Sequence, residues 1–188
     1  MICAILLAAG QSKRMGNQNK LIKKIKGVPL IEITLNNILE SSVEEIIVVT
    51  GHQKQIIKKI IKKNKKIKFV FNKHFKSGMS SSIKKGLLNM SKKTEYFFIC
   101  LGDMPKINRK IYDKIIHHRS NHDIIVPMYK GKRGHPVLFN KKMKEKIMTI
   151  KGDSGAKKIL DYHKKNSLKI KINNKNILKD LDTEMSFI

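Results

Sequence analysis

The sequence predicts an α/β fold of three layers, in which a mostly parallel sheet lies between two layers of helices. Short apolar runs, several of them rich in β-branched residues, are typical of strands that are buried on both faces. Segments with apolar residues at helical spacing follow these runs, and this alternation is typical of a doubly wound sheet. The predicted strands are residues 3–8, 43–50, 67–71, 96–101, 123–128 and 168–172. The first predicted helix begins at Pro29. Three further helices are predicted over residues 52–64, 77–87 and 107–119.

The length and composition predict one globular domain over residues 1–188. Of these residues 40% are hydrophobic and 29% are charged, which is ordinary for a globular chain. The formal net charge of +27 is not ordinary, and it raises the alternative that nucleic acid or an anionic membrane is a partner. However, the lysines are spread along the whole chain, and only 6% of the residues are aromatic. The sequence therefore does not favour nucleic acid as the main partner.

The two cysteines, Cys3 and Cys100, both lie inside predicted buried strands. This placement favours small apolar core residues, because a metal site would need further ligands at metal-binding spacing. No basic segment precedes the first apolar run, as it would in a signal peptide, and no apolar run reaches transmembrane length. We therefore expect a cytoplasmic protein without a membrane partner.

The loop after the first predicted strand has the features of a phosphate-binding site. Ala8, Ala9 and Gly10 have almost no side-chain bulk, so backbone N–H groups can approach a ligand closely. Arg14 can then contact a phosphate with two parallel hydrogen bonds, and Lys20 can add a point charge. The alternative is an ordinary turn between a strand and a helix. The chain has neither a G-x-G-x-x-G motif nor a Walker loop, so the common nucleotide-binding loops are not favoured.

The pattern L-A-A-G-x-S-x-R-M-G-x-x-x-K, from Leu7 to Lys20, resembles the signature of the MobA/MocA-like NTP transferases, which make molybdenum cofactor dinucleotides. Its Ala-Ala-Gly form resembles the cytidylyltransferase branch more than the guanylyltransferase branch, where Ala-Gly-Gly is usual. The family usually has its lysine one residue nearer to the glycine of R-M-G, or at this distance with an insertion. The resemblance implies that Lys20, rather than Lys13, contacts the triphosphate.

Two further segments match the family. The pattern G-x-x-x-S-x-x-x-G-L implies that Gly78 and Ser82 hold the base or the ribose, although a serine near a helix start is often only a cap. The segment Gly-Asp-Met-Pro contains Gly102 and Asp103 and ends a predicted central strand, where ligands of such sheets bind. The resemblance implies that Asp103 binds Mg²⁺, for which a carboxylate is a suitable ligand. A helix N-cap is the structural alternative for Asp103.

Three segments nearer the C-terminus complete the resemblance. The run R-G-H-P-V-L-F implies that His135 and Pro136 belong to the pocket of the acceptor. Asp153, in the segment Gly-Asp-Ser-Gly-Ala, would lie near the acceptor or would cap the helix that follows. The ending D-L-D-T-E implies that Asp182 is a second metal ligand, although the final acidic residue of the family pattern is missing.

The resemblance implies a Rossmann-like nucleotidyltransferase (GT-A-like) domain that transfers CMP from CTP to molybdopterin bearing molybdenum. The expected cofactor is Mg²⁺, and the expected partners are CTP, molybdopterin and a recipient molybdoenzyme or its maturation chaperone. Catalytic roles would fall to Asp103, Asp182, Arg14 and Lys20. The alternatives are a guanylyltransferase or another NTP transferase on the same scaffold, or a basic cofactor-binding protein without catalysis.

Overall fold

The computed structural model describes residues 1–12, 19–153, 155–163 and 166–181. The strands are β1 (Ile2–Ala8), β2 (Lys24–Ile25), β3 (Val28–Pro29), β4 (Glu45–Thr50), β5 (Ile67–Phe71), β6 (Tyr96–Leu101), β7 (Ile124–Tyr129), β8 (Lys132–Arg133), β9 (Val137–Asn140) and β10 (Leu168–Lys171). The α-helices are α1 (Leu30–Leu39), α2 (Lys54–Ile60), α3 (Met79–Leu87), α4 (Arg109–His117), α5 (Lys144–Met148) and α6 (Lys157–Tyr162). Short 3₁₀ helices cover Lys20–Ile22, Phe75–Ser77, Lys141–Met143 and Lys175–Leu178.

The main sheet has the strand order β10-β7-β9-β6-β1-β4-β5, and β8 pairs with β7 outside this order. Strands β5, β4, β1 and β6 pair in parallel, as do β7 and β10. Strand β9 is antiparallel to both of its neighbours, β6 and β7. The prediction of a mostly parallel sheet is therefore confirmed. Strand order reverses beside β1, because the chain goes from β1 to β4 on one side and later returns to β6 on the other.

Side chains of β1 alternate between two hydrophobic cores, one on each face of the sheet. Ala4, Leu6 and Ala8 belong to the core under α1, α2 and α4. Cys3 and Ile5 belong to the opposite core, which α3 and α5 cover. A strand that is buried on both faces needs apolar residues at every position, which explains the unbroken apolar run in this part of the sequence. The two cores confirm the predicted three layers.

Several elements differ from the sequence prediction. Helix α2 begins at Lys54 and ends at Ile60, so it is shorter than the predicted residues 52–64. Pro29 directly precedes α1 as its N-cap residue and pairs in the small β2–β3 hairpin, which the pattern did not predict. Strand β9 was also missed, because its four residues follow a proline and are too few for a clear periodicity.

Both cysteines are buried and reduced in the described part of the chain, as the sequence predicts. Burial raises the pKa of the Cys100 thiol to about 12, and burial also raises the pKa of Cys3. Thiols that stay protonated at neutral pH are poor metal ligands and poor nucleophiles. Among the described residues, no helix is long and apolar enough to cross a membrane.

Candidate active site

A cleft of about 430 Å³ opens at the carboxyl ends of β1 and β6, beside the point where the strand order reverses. Open parallel sheets bind ligands at this position, because neighbouring loops diverge there and leave a crevice. The predicted residues that line the cleft are Leu7, Ala9, Gly10, Lys20, Gly78, Ser82, Gly102, Asp103 and Asp153. The lining also includes Gln11, Ser12, Leu21, Phe75, Lys76, Met79, Leu101 and Asp180.

The loop after β1 forms one wall of this cleft. Its start is fixed by the Ala9 carbonyl, which accepts a hydrogen bond of 3.3 Å from the backbone N–H of His52. Ser12 Oγ accepts a hydrogen bond of 3.0 Å from the backbone N–H of Lys20, which ties the two ends of the loop together. Gly10 is exposed at the mouth of the cleft. Arg14 and Lys13 lie outside the described residues, so the contact that the sequence predicts for Arg14 stays a prediction.

Lys20 and Asp103 form an ion pair inside the cleft. The distance from Lys20 Nζ to Asp103 Oδ2 is 2.5 Å, and each side chain is only 16% exposed. The other carboxylate oxygen, Asp103 Oδ1, is shielded from water and has no hydrogen-bond partner among the described residues. An unpartnered buried carboxylate oxygen is costly unless a ligand completes it, so this atom is a candidate ligand for a cation or for a donor group of the substrate.

The position of Asp103 depends on tight packing at Gly102. The Gly102 backbone N–H donates to the Leu7 carbonyl at 3.2 Å, and its own carbonyl accepts from Thr34 Oγ1 at 2.9 Å. A Cβ at Gly102 would lie 2.9 Å from the Leu7 carbonyl oxygen, so glycine is required for this close approach. The next helix, α4, begins at Arg109 and is capped by Asn108. The interpretation of Asp103 as a helix N-cap is therefore wrong.

The first turn of α3 forms the opposite wall. Gly78 precedes this helix with a φ of +101°, a conformation that L-residues with a side chain rarely adopt. Asp153 Oδ1 accepts a hydrogen bond of 2.8 Å from the Met79 backbone N–H, and the Gly152 carbonyl accepts from Ser80 at 3.1 Å. Asp153 thus binds the N-terminus of α3 from a distant segment. The interpretation of Asp153 as the N-cap of the helix that follows it is wrong, because that position in α6 belongs to Ala156.

Ser82 lies inside α3 rather than at its end, so it is not the helix cap that the sequence left as an alternative. Its side chain is 5% exposed and borders the cleft. Phe75 borders the same region and packs closely against Gly51, which directly follows β4, because a Cβ at Gly51 would lie 2.6 Å from the Phe75 Cβ. No pattern in the sequence indicates Phe75, since a single aromatic residue in a short 3₁₀ helix has no periodicity.

His135 does not line the cleft. Its backbone N–H donates to the Ile177 carbonyl at 2.8 Å, which fixes the segment that contains His135 and Pro136. Burial lowers the pKa of His135, and the negative charge of Asp103 acts in the opposite direction. The imidazole is therefore neutral at pH 7. Its Nδ1 atom is buried and has no partner in the described part of the chain.

The described chain ends at Leu181, whose backbone N–H donates to the Asp103 carbonyl at 3.0 Å. Asp180, one residue earlier, lines the cleft. Asp182 lies outside the described residues, so its predicted role as a metal ligand stays a prediction. Within the residues that the structure describes, no three acidic, histidine or cysteine side chains converge to form a metal cluster.

Known proteins that resemble this chain include two molybdenum cofactor enzymes. The probable molybdenum cofactor guanylyltransferase of Methanosarcina acetivorans is 30% identical over 160 residues, which are 81% of this chain and 70% of that protein. The molybdenum cofactor cytidylyltransferase of Escherichia coli K12 is 28% identical over 190 residues, which are 100% of this chain and 94% of that protein. Both the cytidylyl and the guanylyl branches are thus similar to this chain at comparable identity.

The fold has close counterparts among solved structures. A nucleotidyl transferase from Methanothermobacter thermautotroptrophicus superimposes with a TM-score of 0.86 at 19% identity, over 100% of this chain and 94% of that one. This similarity confirms the predicted Rossmann-like nucleotidyltransferase fold. Residues 4–167 match the family described as the MobA-like NTP transferase domain, a range that contains the loop after β1, Asp103 and the wall formed by α3. The chain therefore belongs to the family of MobA-like NTP transferase domains.

Proposed function

We propose that this protein is a molybdenum cofactor cytidylyltransferase, which transfers CMP from CTP to molybdopterin bearing molybdenum. The observation that carries the proposal is the Lys20–Asp103 pair at the carboxyl ends of β1 and β6, in a cleft opposite the N-terminus of α3. Such a pair suits a complex of a cation with a triphosphate, because the carboxylate can bind the cation and the lysine can contact the phosphates. Membership of the NTP transferase family and similarity to the Escherichia coli enzyme support the same reaction.

The oxygen atoms that the cleft offers are suitable ligands for Mg²⁺. Asp103 provides a buried oxygen without a partner, and Asp180 provides another carboxylate on the lining. Mg²⁺ prefers oxygen ligands and commonly takes one or two carboxylates together with phosphate oxygens. Asp103 and Asp182 would hold the ion, as the resemblance implies. When bound, Mg²⁺ would neutralise charge on the phosphates as the reaction proceeds.

In the proposed reaction, an ionised phosphate oxygen of the acceptor bonds to the α-phosphorus of CTP. The bond from that phosphorus to the bridging oxygen of the β-phosphate breaks, and pyrophosphate leaves with the electron pair. No proton has to be removed, because the attacking oxygen is already ionised at neutral pH. Lys20 and the backbone of Ala8, Ala9 and Gly10 would stabilise the triphosphate, so catalysis depends on position and charge.

A guanylyltransferase is the second candidate. The observation that favours it is the similarity to the Methanosarcina acetivorans protein, which is at least as high as that to the cytidylyltransferase. The observation that favours CTP is the Ala8-Ala9-Gly10 form of the loop, where the guanylyltransferase pattern has Ala-Gly-Gly. Ala9 borders the cleft but is only 4% exposed, and its Cβ packs against Gly51.

Pyrophosphate release tests the proposal directly. Purified protein is supplied with Mg²⁺, molybdopterin bearing molybdenum, and CTP, GTP, ATP or UTP in separate reactions. We expect release with CTP and little with the other three nucleotides. Release mainly with GTP would assign the chain to the guanylyltransferase branch, and no release with any nucleotide would contradict the proposed activity.

Asp103→Asn tests the proposed metal ligand. We expect turnover to fall by about 10²-fold or more, because the neutral amide is a poor metal ligand and the ion pair with Lys20 is lost. The measurement is the rate of pyrophosphate release together with Mn²⁺ binding by calorimetry. Asp113→Asn is the matched control, since that carboxylate lies on α4 and accepts from the Ser42 backbone N–H at 2.8 Å, away from the cleft. Near-normal turnover of Asp103→Asn would show that Asp103 does not bind the metal.

A further inference from the structure

Asn72 directly follows β5 and is buried beneath the first turns of α3, with 2% of its surface exposed. Its Oδ1 atom accepts a hydrogen bond of 3.0 Å from the His74 backbone N–H. Because a backbone N–H can only donate, this contact fixes which end of the amide carries the oxygen. The Nδ2 atom therefore faces α3, where it donates to Ser81 Oγ at 2.8 Å and to Ser82 Oγ at 3.0 Å.

The two serines use their hydroxyl protons differently. Ser81 Oγ lies 2.9 Å from the His74 carbonyl and 2.8 Å from the Gly78 carbonyl, so its proton is used inside the protein. Ser82 Oγ accepts from Asn72, and among the described residues no acceptor takes the Ser82 proton. Since Ser82 borders the cleft, its hydroxyl can donate to a ligand there.

The charges of the described cleft indicate which part of a nucleotide Ser82 would meet. Lys20 and Asp103 lie on the side of β1 and β6, where they suit the triphosphate and its cation. Ser82 lies on the wall formed by α3, and Phe75, Lys76, Gly78 and Asp153 also line the cleft. An uncharged donor beside an aromatic ring suits the base or sugar better than a phosphate.

We propose that Asn72 is a positioning residue that fixes Ser82 as a hydrogen-bond donor to an acceptor atom of the nucleoside half of the bound nucleotide. The two Nδ2 hydrogens of Asn72 occupy lone pairs of Ser81 and Ser82, so the Ser82 proton points away from the amide and is available to the cleft. The inference rests on the proposed nucleotidyltransferase activity, and it assigns to Asn72 an effect on nucleotide binding although Asn72 does not line the cleft.

Two substitutions and their combination test the inference. Ser82→Ala removes the donor. Asn72→Asp keeps the shape and the contact with His74, but its carboxylate accepts only and so takes the Ser82 proton for itself. We expect each variant to raise the KM of the preferred nucleotide by about 10-fold while kcat stays within about 3-fold. The double variant should raise KM no further than Ser82→Ala alone, because both changes remove the same donor.

Ser81→Ala is the matched control, because it changes the same turn of α3 and the same asparagine contact without changing the donor in the cleft. We expect its KM to stay within about 2-fold of the wild-type value. Inorganic tripolyphosphate serves as a competing probe without a nucleoside, and its inhibition constant should be the same for wild type and Ser82→Ala. Thermal unfolding of each variant verifies that it is folded.

Three results would overturn the inference. Ser82→Ala with a wild-type KM would exclude the donor, and multiplicative effects in the double variant would exclude the coupling through Asn72. Weaker inhibition by tripolyphosphate in Ser82→Ala would show that Ser82 contacts phosphate instead. Wild-type protein that turns over no nucleotide would refute the proposed function itself, whereas normal wild-type turnover with unaffected Ser82 variants would refute this inference alone.

Discussion

At the scale of single residues, the ion pair between Lys20 and Asp103 is the main observation behind the proposed chemistry of the cleft. Each side chain is 16% exposed, so water screens the attraction between the two charges less than it does in a surface ion pair. The lysine occupies one oxygen of the carboxylate, while the other oxygen, Oδ1, has no partner in the described chain. A divalent cation that binds Asp103 must therefore compete with the Lys20 ammonium, unless a triphosphate attracts the lysine away.

Lys20→Met tests this competition. We expect the variant to bind Mn²⁺ about 3-fold to 10-fold more tightly than wild type in the absence of nucleotide, because no ammonium competes for Asp103. Turnover should nevertheless fall by at least about 10-fold, because the triphosphate loses a cation. Calorimetric titration with Mn²⁺ and the pyrophosphate assay measure the two effects.

Lys24→Met is the control for Lys20→Met, since it removes one positive charge from an exposed position of β2. Its Mn²⁺ affinity should equal that of wild type. Weaker Mn²⁺ binding by Lys20→Met would contradict the competition and would indicate that the lysine orients Asp103 for the metal.

At the scale of elements, helix α3 forms one wall of the cleft because it packs very closely on β1. Gly86 allows this approach, since a Cβ there would overlap Ile5 Cγ2 and would lie 3.2 Å from Ile5 Cδ1. Ile5 is completely buried in the middle of β1 and cannot move aside easily. Gly86 thus sets the distance between the helix and the sheet. This distance in turn determines where the N-terminal part of α3, with Gly78 and Ser82, lies relative to the cleft.

Gly86→Ala should therefore destabilise the protein even though alanine favours helices. The gain in helix propensity is about 1 kcal/mol, whereas forcing an extra methyl into a packed core costs about 1–3 kcal/mol, or more where the neighbours are rigid. We expect a lower free energy of unfolding, measured by urea denaturation. Lys85→Ala in the same helix is the control and should change it by less than about 0.5 kcal/mol. A more stable Gly86→Ala variant would show that α3 can shift away from β1.

At the scale of the whole molecule, the formal net charge of +27 opposes the compact state. The chain has 41 lysines and arginines against 14 acidic residues, so repulsion between like charges is larger in the folded protein than in the expanded chain. The same charge attracts anionic substrates to the cleft over distances of about the Debye length. Ion pairs within the protein cannot reduce a net charge, so ions of the solvent must balance this excess.

Added salt should therefore stabilise the protein. We expect the melting temperature to rise between about 20 mM and about 300 mM NaCl, because screening weakens the repulsion within the folded state. Differential scanning calorimetry at constant pH measures the effect. A parallel series with sucrose controls for changes of solvent that do not screen charge. A constant or falling melting temperature in NaCl would show that charge repulsion does not limit stability.

Much of the fold could be predicted from local patterns in the sequence. Strands β5 and β6 have the predicted ends, and β1, β4, β7 and β10 differ from the prediction by one or two residues at an end. The reason is that a strand buried on both faces must be apolar throughout, which leaves a clear run in the sequence. The antiparallel strand β9 could not be predicted, because its direction depends on the neighbours that it joins rather than on its own four residues.

The sequence by itself determined the fold class, the glycine-bearing loop after β1 and the position of Gly102 and Asp103 at the end of a central strand, because each depends on residues that are adjacent in the chain. Only the tertiary structure decided which distant groups meet. Asp153 binds the N-terminus of α3 rather than its own helix, Lys20 pairs with Asp103, and Asn72 reaches Ser82. Hydrogen bonds and ion pairs act over about 3–4 Å, and the packing of helices on the sheet sets those distances.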